Sequence, residues 1–309
     1  MSLIDTNWLE KNIGNVKIID CSWHMPQTKR NGFNEYNKEH IPNAIFFDLD
    51  RNSKLDTNLP HMLTDIKSWE KIMSDMGIEN NDRIVVYDNS DVISACRCWY
   101  NLIYFGHDPK LVNVLDGGLK KWKKENKITN NEYVITKTSK YSCSENTNLV
   151  KNKKQINENI YKHEFYVIDA RSRDRFEGKV AEPRKGLRSG SIKNSFCLPY
   201  SELIREDHTF ISRDKILEKF NSLKLDHGKN LVFSCGSGVT ASVLALAYSL
   251  INDKYLPCIY DGSWAEYGLT SRKYEKIYKN NFSAIGVFFN NCNCNYWKNN
   301  DWKSFQKKI

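Results

Sequence analysis

The sequence predicts an α/β protein of two similar domains, each a mainly parallel sheet with helices on both faces. Three observations lead there. The length of 309 residues suits two domains, the chain carries an internal duplication, and strand patterns alternate with helix patterns. The duplication rests on four landmarks in the same order. Val16-Lys17-Ile18-Ile19-Asp20 answers to Phe165-Tyr166-Val167-Ile168-Asp169. Each is a short apolar run ending in Asp, as suits a strand buried on both faces. Glu39-His40-Ile41-Pro42-Asn43-Ala44 answers to Gly190-Ser191-Ile192-Lys193-Asn194-Ser195, and Arg83–Asp88 to Asn230–Cys235. Asp116-Gly117-Gly118 answers to Asp261-Gly262-Ser263. From Asp20 to Asp88 is 68 positions and from Asp169 to Cys235 is 66; the next intervals are 28 and 26. Such equal spacing marks a repeated unit.

Between the landmarks lie helices. Over 64–76, Ile66, Trp69, Ile72, Met73 and Met76 form one apolar stripe, with Thr64 placed to cap it and Gly77 to stop it. Over 212–225, Ile216, Leu217, Phe220 and Leu223 do the same. A third helix pattern runs from Val239 to Ile251. Residues 137–148 are polar and unpatterned and read as a linker. The expected layout is therefore a first domain over 1–136, the linker over 137–148, and a second domain over 149–280. An Asn- and Lys-rich extension over 281–309 has no counterpart in the first half.

Composition limits the function classes. A hydrophobic share of 40% and an aromatic share of 12% support packed cores rather than disorder. No apolar run is long enough to span a membrane. The start, Met1-Ser2-Leu3-Ile4-Asp5, lacks the pattern of a secretory signal, and Asp5 and Glu10 argue against a transit peptide. A cytoplasmic protein is expected, with a mitochondrial one as the alternative. The net charge of +9 is spread over Lys- and Asn-rich helices and loops without a nucleic-acid motif. It reads as solvated surface that mildly attracts small anions. The nine cysteines are odd in number, which favours reduced thiols. Cys292 and Cys294 are too few for a zinc site and no His follows them, so no metal is expected.

One cysteine is placed differently from the rest. Cys235 stands at the carboxyl end of a predicted strand, where open α/β sheets carry their sites. Gly236, Ser237 and Gly238 follow as a small-residue loop, and the helix then starts at Val239 and Thr240. Strand, loop and helix start together aim backbone N–H groups at one point, which favours a thiolate or a charged persulfide sulfur. The matched place in the first half holds Asp88-Asn89-Ser90-Asp91-Val92, without the thiol or the glycines. One half is thus expected to be catalytic and the other its structural partner. Cys96 and Cys98 are expected to pack in the core near the start of a helix, with Arg97 between them facing the other domain.

Over residues 3–275 the chain resembles the tandem-domain rhodanese superfamily, and within it the 3-mercaptopyruvate sulfurtransferases. The most specific motif is Cys235-Gly236-Ser237-Gly238-Val239-Thr240. Supporting stretches are Asp20-Cys21-Ser22-Trp23, His40–Ala44, Phe46-Phe47-Asp48, Pro60-His61-Met62, Asp169-Ala170-Arg171, Glu182-Pro183-Arg184 and Asp261-Gly262-Ser263-Trp264. The resemblance implies two rhodanese-like domains and no cofactor. It also implies that Cys235 takes sulfur from a small anionic donor, becomes a persulfide and passes the outer sulfur on. The acceptor would be a small thiol, a thioredoxin-like protein or cyanide. It assigns Ser237, His61 and Asp50, with Asp48 adjacent, to a proton relay, and Arg184 to the donor's carboxylate, with Arg188 and Lys193 as further basic candidates. Gly236, Gly238, Val239 and Thr240 would complete the donor pocket.

Loop charge selects among donors. Neutral Gly236, Ser237 and Gly238 suit mercaptopyruvate, whose carboxylate a guanidinium can bind bidentately. Thiosulfate, the alternative donor, would be served by cations in the loop. Gly190-Ser191-Ile192-Lys193-Asn194 departs from the family's Gly-His-Ile-Pro/Arg-Gly pattern at the substrate rim. A cysteine phosphatase is excluded because Ala241 stands where an Arg would clamp phosphate. A non-catalytic module that binds partners or merely carries sulfur is the reading from another class.

Overall fold

The computed structural model describes residues 2–226 and 228–270. Ten strands form two five-stranded sheets. The first half supplies β1 (Leu3–Ile4), β2 (Lys17–Asp20), β3 (Ala44–Phe46), β4 (Ile84–Tyr87) and β5 (Val112–Leu115). The second half supplies β6 (Val150–Lys151), β7 (Phe165–Asp169), β8 (Phe196–Cys197), β9 (Asn230–Ser234) and β10 (Ile259–Tyr260). Their orders are β1-β5-β4-β2-β3 and β6-β10-β9-β7-β8, with parallel pairings throughout. The second order is the first repeated, so the duplication seen in the landmarks is a duplication of topology. Asp20 lies opposite Tyr87 and Asp169 opposite Ser234, so both central pairs end at the same point. Parallel neighbours need crossovers, and helices supply them.

The helices differ from expectation at their ends. Ile66–Asp75 is capped by Asp65, which accepts the Ser68 N–H at 3.0 Å, in place of Thr64. Both residue types cap well, and the extended backbone at Asp65 decides between them. The helices Arg213–Asn221 and Val239–Ser249 stop short of Leu225 and Ile251.

One core cluster runs through both halves, and each half has a further cluster of its own. Every residue of the helix Ala95–Tyr104 is buried, and it packs against Val239–Ser249 of the other half. Val239–Ser249 is apolar nearly all round, so it needs cover on both its sheet side and its outer side. Cys96 and Cys98 are core side chains of this contact, and residues 1–268 form one compact unit. Residues 131–146 carry no helix or strand, yet Tyr141 within them is buried and its hydroxyl lies 3.0 Å from His107 Nδ1. The expected extension 281–309, with Cys292 and Cys294, and residues 271–280 lie outside the described residues.

Candidate active site

Strand β9 delivers Cys235 to its carboxyl end, where the thiol is buried at 1% exposure. The loop that follows is held from below. The N–H groups of Trp264 and Ala265 donate to the carbonyls of Cys235 and Gly236, both at 2.9 Å. Ser263 Oγ accepts the Cys235 N–H at 3.2 Å and donates to the Tyr260 carbonyl at 2.8 Å. With both carbonyls tied off, the loop curls into the start of the helix Val239–Ser249, whose first N–H groups have no intrahelical partner. Gly238 adopts φ 81°, the left-handed region, and a Cβ there would lie 2.5 Å from Arg97 Nη1. Gly236 has no left-handed φ, so of the two loop glycines only Gly238 is required by the backbone. A Cβ at Gly236 would stand 3.5 Å from both Arg175 Nη2 and Arg184 Nη1.

Ser237 is buried beside the cysteine, and the first half reaches it. His61 Nδ1 lies 2.9 Å from Ser237 Oγ, and His61 Nε2 lies 3.0 Å from Asp50 Oδ1. His61 sits at φ 60°, a conformation that costs a non-glycine residue on the order of 1 kcal/mol. Its surroundings hold it there. Arg97 Nη2 donates to the His61 carbonyl and to Asp261 Oδ1, each at 2.6 Å, and Asp261 Oδ2 accepts the Leu63 N–H at 2.9 Å. Arg97 is fully buried, so its charge is compensated by Asp261 of the other half.

Burial pushes the His61 imidazole below its ordinary 6.5; Asp50 opposes this, while the Arg184 and Arg97 guanidiniums add to it. The ring is therefore neutral near pH 7. The hydrogen bond from His61 holds the Asp50 carboxyl below the usual carboxylate range. A carboxylate only accepts, so Nε2 carries the proton towards Asp50 and Nδ1 accepts the Ser237 hydroxyl.

Arg184 Nη2 donates to Ser237 Oγ at 3.3 Å. Among the described residues Arg184 forms no salt bridge, and burial lowers its pKa while the Cys235 sulfur opposes that. Its neighbours are paired instead. Arg171 bonds Asp169 and Glu182 at 2.7 Å each, and Glu182 takes Arg175 through Nε at 3.2 Å and Nη2 at 2.6 Å. Sequence reasoning missed Arg175; its signal was the run Arg171, Arg173, Arg175 ahead of Glu182-Pro183-Arg184.

The structure brings Cys235, Ser237, His61, Asp50 and Arg184 together, and leaves Arg188 and Lys193 apart from them. The Arg188 guanidinium lies 4.5 Å above the Trp264 ring and 5.5 Å from that of Tyr267, and its carbonyl accepts the Trp264 indole N–H. Lys193 is exposed in the turn after Ile192. Val239 is buried in the core, and Thr240 is half-buried in the first helical turn. Trp23, at the end of the Asp20–Trp23 stretch, reaches Asp50 with its indole N–H.

Two parallel sheets of one repeated topology, a thiol-bearing loop and a site completed from the other half define the class. The Rhodanese-like domain family matches the chain twice, over residues 5–125 and 149–269, and the chain belongs to that family. It is similar to Thiosulfate/3-mercaptopyruvate sulfurtransferase 1, mitochondrial, of Arabidopsis thaliana, with 36% identity over 86% of this chain and 75% of the relative. It is 34% identical to the 3-mercaptopyruvate sulfurtransferase of Mus musculus over 82% of this chain and 84% of the relative. The crystal structure of SseA from Escherichia coli, described among 3-mercaptopyruvate sulfotransferases, superposes with a TM-score of 0.77 at 30% identity. That match covers 86% of this chain and 100% of SseA.

Proposed function

We propose that this enzyme moves a sulfur atom from 3-mercaptopyruvate, through a persulfide on Cys235, to a thiol acceptor. The observation that carries the reading is the convergence on Ser237 Oγ of His61 Nδ1 at 2.9 Å and the guanidinium of Arg184 at 3.3 Å, beside Cys235. In the first step the Cys235 thiolate attacks the donor sulfur. The S–S bond forms, the donor C–S bond breaks, and its electron pair leaves on pyruvate enolate. Arg184 binds the donor carboxylate. The Ser237 hydroxyl, turned from His61 to the ketone oxygen, polarises it, and the proton shed by the new Cys235 persulfide passes through the Ser237–His61–Asp50 relay to the enolate carbon, giving pyruvate. In the second step an acceptor thiolate attacks the outer sulfur and releases Cys235.

Other features fit this reading. The seven described cysteines are unpaired, which supports a reducing compartment such as the cytoplasm. Residues 1–136 act as the non-catalytic domain and 149–280 as the catalytic one, joined over 137–148.

The test is Cys235→Ser with mass spectrometry of donor-treated protein. Transfer should vanish in the variant, and the native peptide holding Cys235 should gain one sulfur atom. Persulfide found mainly on another cysteine would overturn the assignment. Kinetics with 3-mercaptopyruvate and thiosulfate side by side decide the donor; a higher kcat/KM for thiosulfate would replace the substrate named here.

A further inference from the structure

Trp23 stands outside the relay and touches two of its three members. Its indole Nε1–H donates to both oxygens of Asp50, at 3.1 Å each. Its ring meets that of His61 edge-on, with centroids 4.6 Å apart and an interplanar angle of 80°. Exposure explains why Asp50 needs such a partner. The His61 side chain is 2% exposed, whereas that of Asp50 is 65% exposed. Water competes for most of the Asp50 carboxylate, and an exposed carboxylate held by one hydrogen bond to a neutral imidazole is fixed poorly. The indole adds a second anchor on the same carboxylate and a wall against the imidazole.

The backbone of Trp23 is clamped in turn. Its N–H donates to Ser94 Oγ at 3.1 Å, and Ser94 Oγ donates to the Cys21 carbonyl at 2.7 Å. Ser90 Oγ donates to the Trp23 carbonyl, and the Asn89 N–H donates to Ser22 Oγ at 2.8 Å. Ser90 is the counterpart of Ser237: each lies two residues beyond the strand-end position, Asp88 in one half and Cys235 in the other.

We propose that Trp23 is a positioning residue of the sulfur-transfer site, fixing Asp50 and His61 in the geometry that serves Ser237. The loop of the first domain that lacks a thiol is the clamp that fixes Trp23. This rests on the relay reading above. The side-chain hydrogen bonds and ring contact of Trp23 go to Asp50 and His61, the relay rather than the carboxylate-binding arginine, so its effect belongs in kcat.

The experiment is a double-mutant cycle on the full chain, with 3-mercaptopyruvate as donor and a dithiol as acceptor. Trp23→Phe keeps a ring against His61 and loses the N–H. It should lower kcat roughly three- to tenfold and leave KM within about twofold. The acid limb of its kcat/KM profile should move to higher pH, since the lost donor favours ionised Asp50. Asp50→Asn should lower kcat by about tenfold or more, and Trp23→Phe should add nothing in that background. A normal kcat in Trp23→Phe beside an impaired Asp50→Asn overturns the role of Trp23 and leaves the relay standing. A normal Asp50→Asn overturns the relay, and Trp23 with it. Additive losses also overturn the proposal. If Trp23→Phe does not fold, Ser90→Ala enters the same cycle, loosening the clamp with the indole in place; a loss that persists in the Asp50→Asn background counts against the proposal.

Discussion

Arg184 is a half-buried cation that, among the described residues, has a hydroxyl and no carboxylate to answer it. Every guanidinium near it is committed: Arg171 to Asp169 and Glu182, Arg175 to Glu182, Arg97 to Asp261. Leaving one charge uncompensated costs stability, and a bound anion restores the balance. Arg184→Ala is therefore expected to lower kcat/KM for mercaptopyruvate by about ten- to a hundredfold, the equivalent of roughly 1.5–3 kcal/mol for a charge-assisted pair. Arg184→Lys should recover only part, because an ammonium lacks the planar fork. Unchanged steady-state kinetics in the alanine variant would place the carboxylate elsewhere. Arg188 shows the limit of reading such residues from sequence. It is a further basic candidate four positions from Arg184, but its guanidinium is taken up by the rings of Trp264 and Tyr267, in a helix far along the chain. Nothing local in Gly186-Leu187-Arg188 encodes that contact.

The loop from Cys235 to Thr240 shows how an element does work that no single side chain does. Two of its glycines look alike in sequence and differ in structure. Gly238 is left-handed and backed by Arg97, whereas Gly236 has ordinary backbone and faces two guanidiniums at van der Waals distance. Gly238→Ala should thus destabilise the fold by about 1–2 kcal/mol from the left-handed backbone alone. Displacing Arg97 from His61 and Asp261 would add to that and cost activity. Gly236→Ala should keep the native Tm and lower kcat/KM, since its methyl enters the space between Arg175 and Arg184. Thermal unfolding and donor kinetics on the pair check this; equal Tm losses would refute the distinction. The strand–loop–helix element itself was legible, because an apolar run, small residues and an apolar helix follow directly in sequence. The cap of Ile66–Asp75 was misplaced by one residue because Thr64 and Asp65 are both able caps and only the backbone chooses.

At the scale of the molecule, each half completes the other's loop region. Asp261 accepts the Leu63 N–H across the contact, and Asp116 accepts the Phe210 N–H at 2.8 Å in the reciprocal place. His61 and His208 each lie two residues before those N–H groups, and both are left-handed, at φ 60° and 64°. His61 meets Ser237, while His208 Nε2 meets Lys120 Nζ at 2.8 Å. The four sequence landmarks foretold the doubled sheets; the reciprocal contacts were hidden because they join loops with no shared pattern. Where the second half carries Cys235, the first carries Asp88, whose carboxylate accepts the N–H groups of Ser90 at 2.9 Å and Ala95 at 2.7 Å. Burial outweighs these bonds and pushes Asp88 up from 3.8 to about 7, and nearby Asp20 to about 6. A carboxyl raised in the folded state favours folding most when protonated. Its contribution is complete below 3.8, declines as pH rises, and is gone once pH passes through about 7. The Tm should therefore fall between pH 5 and pH 7.5, in the window set by these two groups. Asp88→Asn cannot ionise and should flatten that fall, leaving the part due to Asp20. Its absolute Tm should be lower at acid pH, since the amide NH2 meets an N–H donor where the hydroxyl oxygen of the protonated carboxyl can still accept. Calorimetry of both proteins across this range reads the slope directly. Parallel curves for the native protein and Asp88→Asn would mean that Asp88 is already ionised when folded, held by its two N–H donors against the cost of burial.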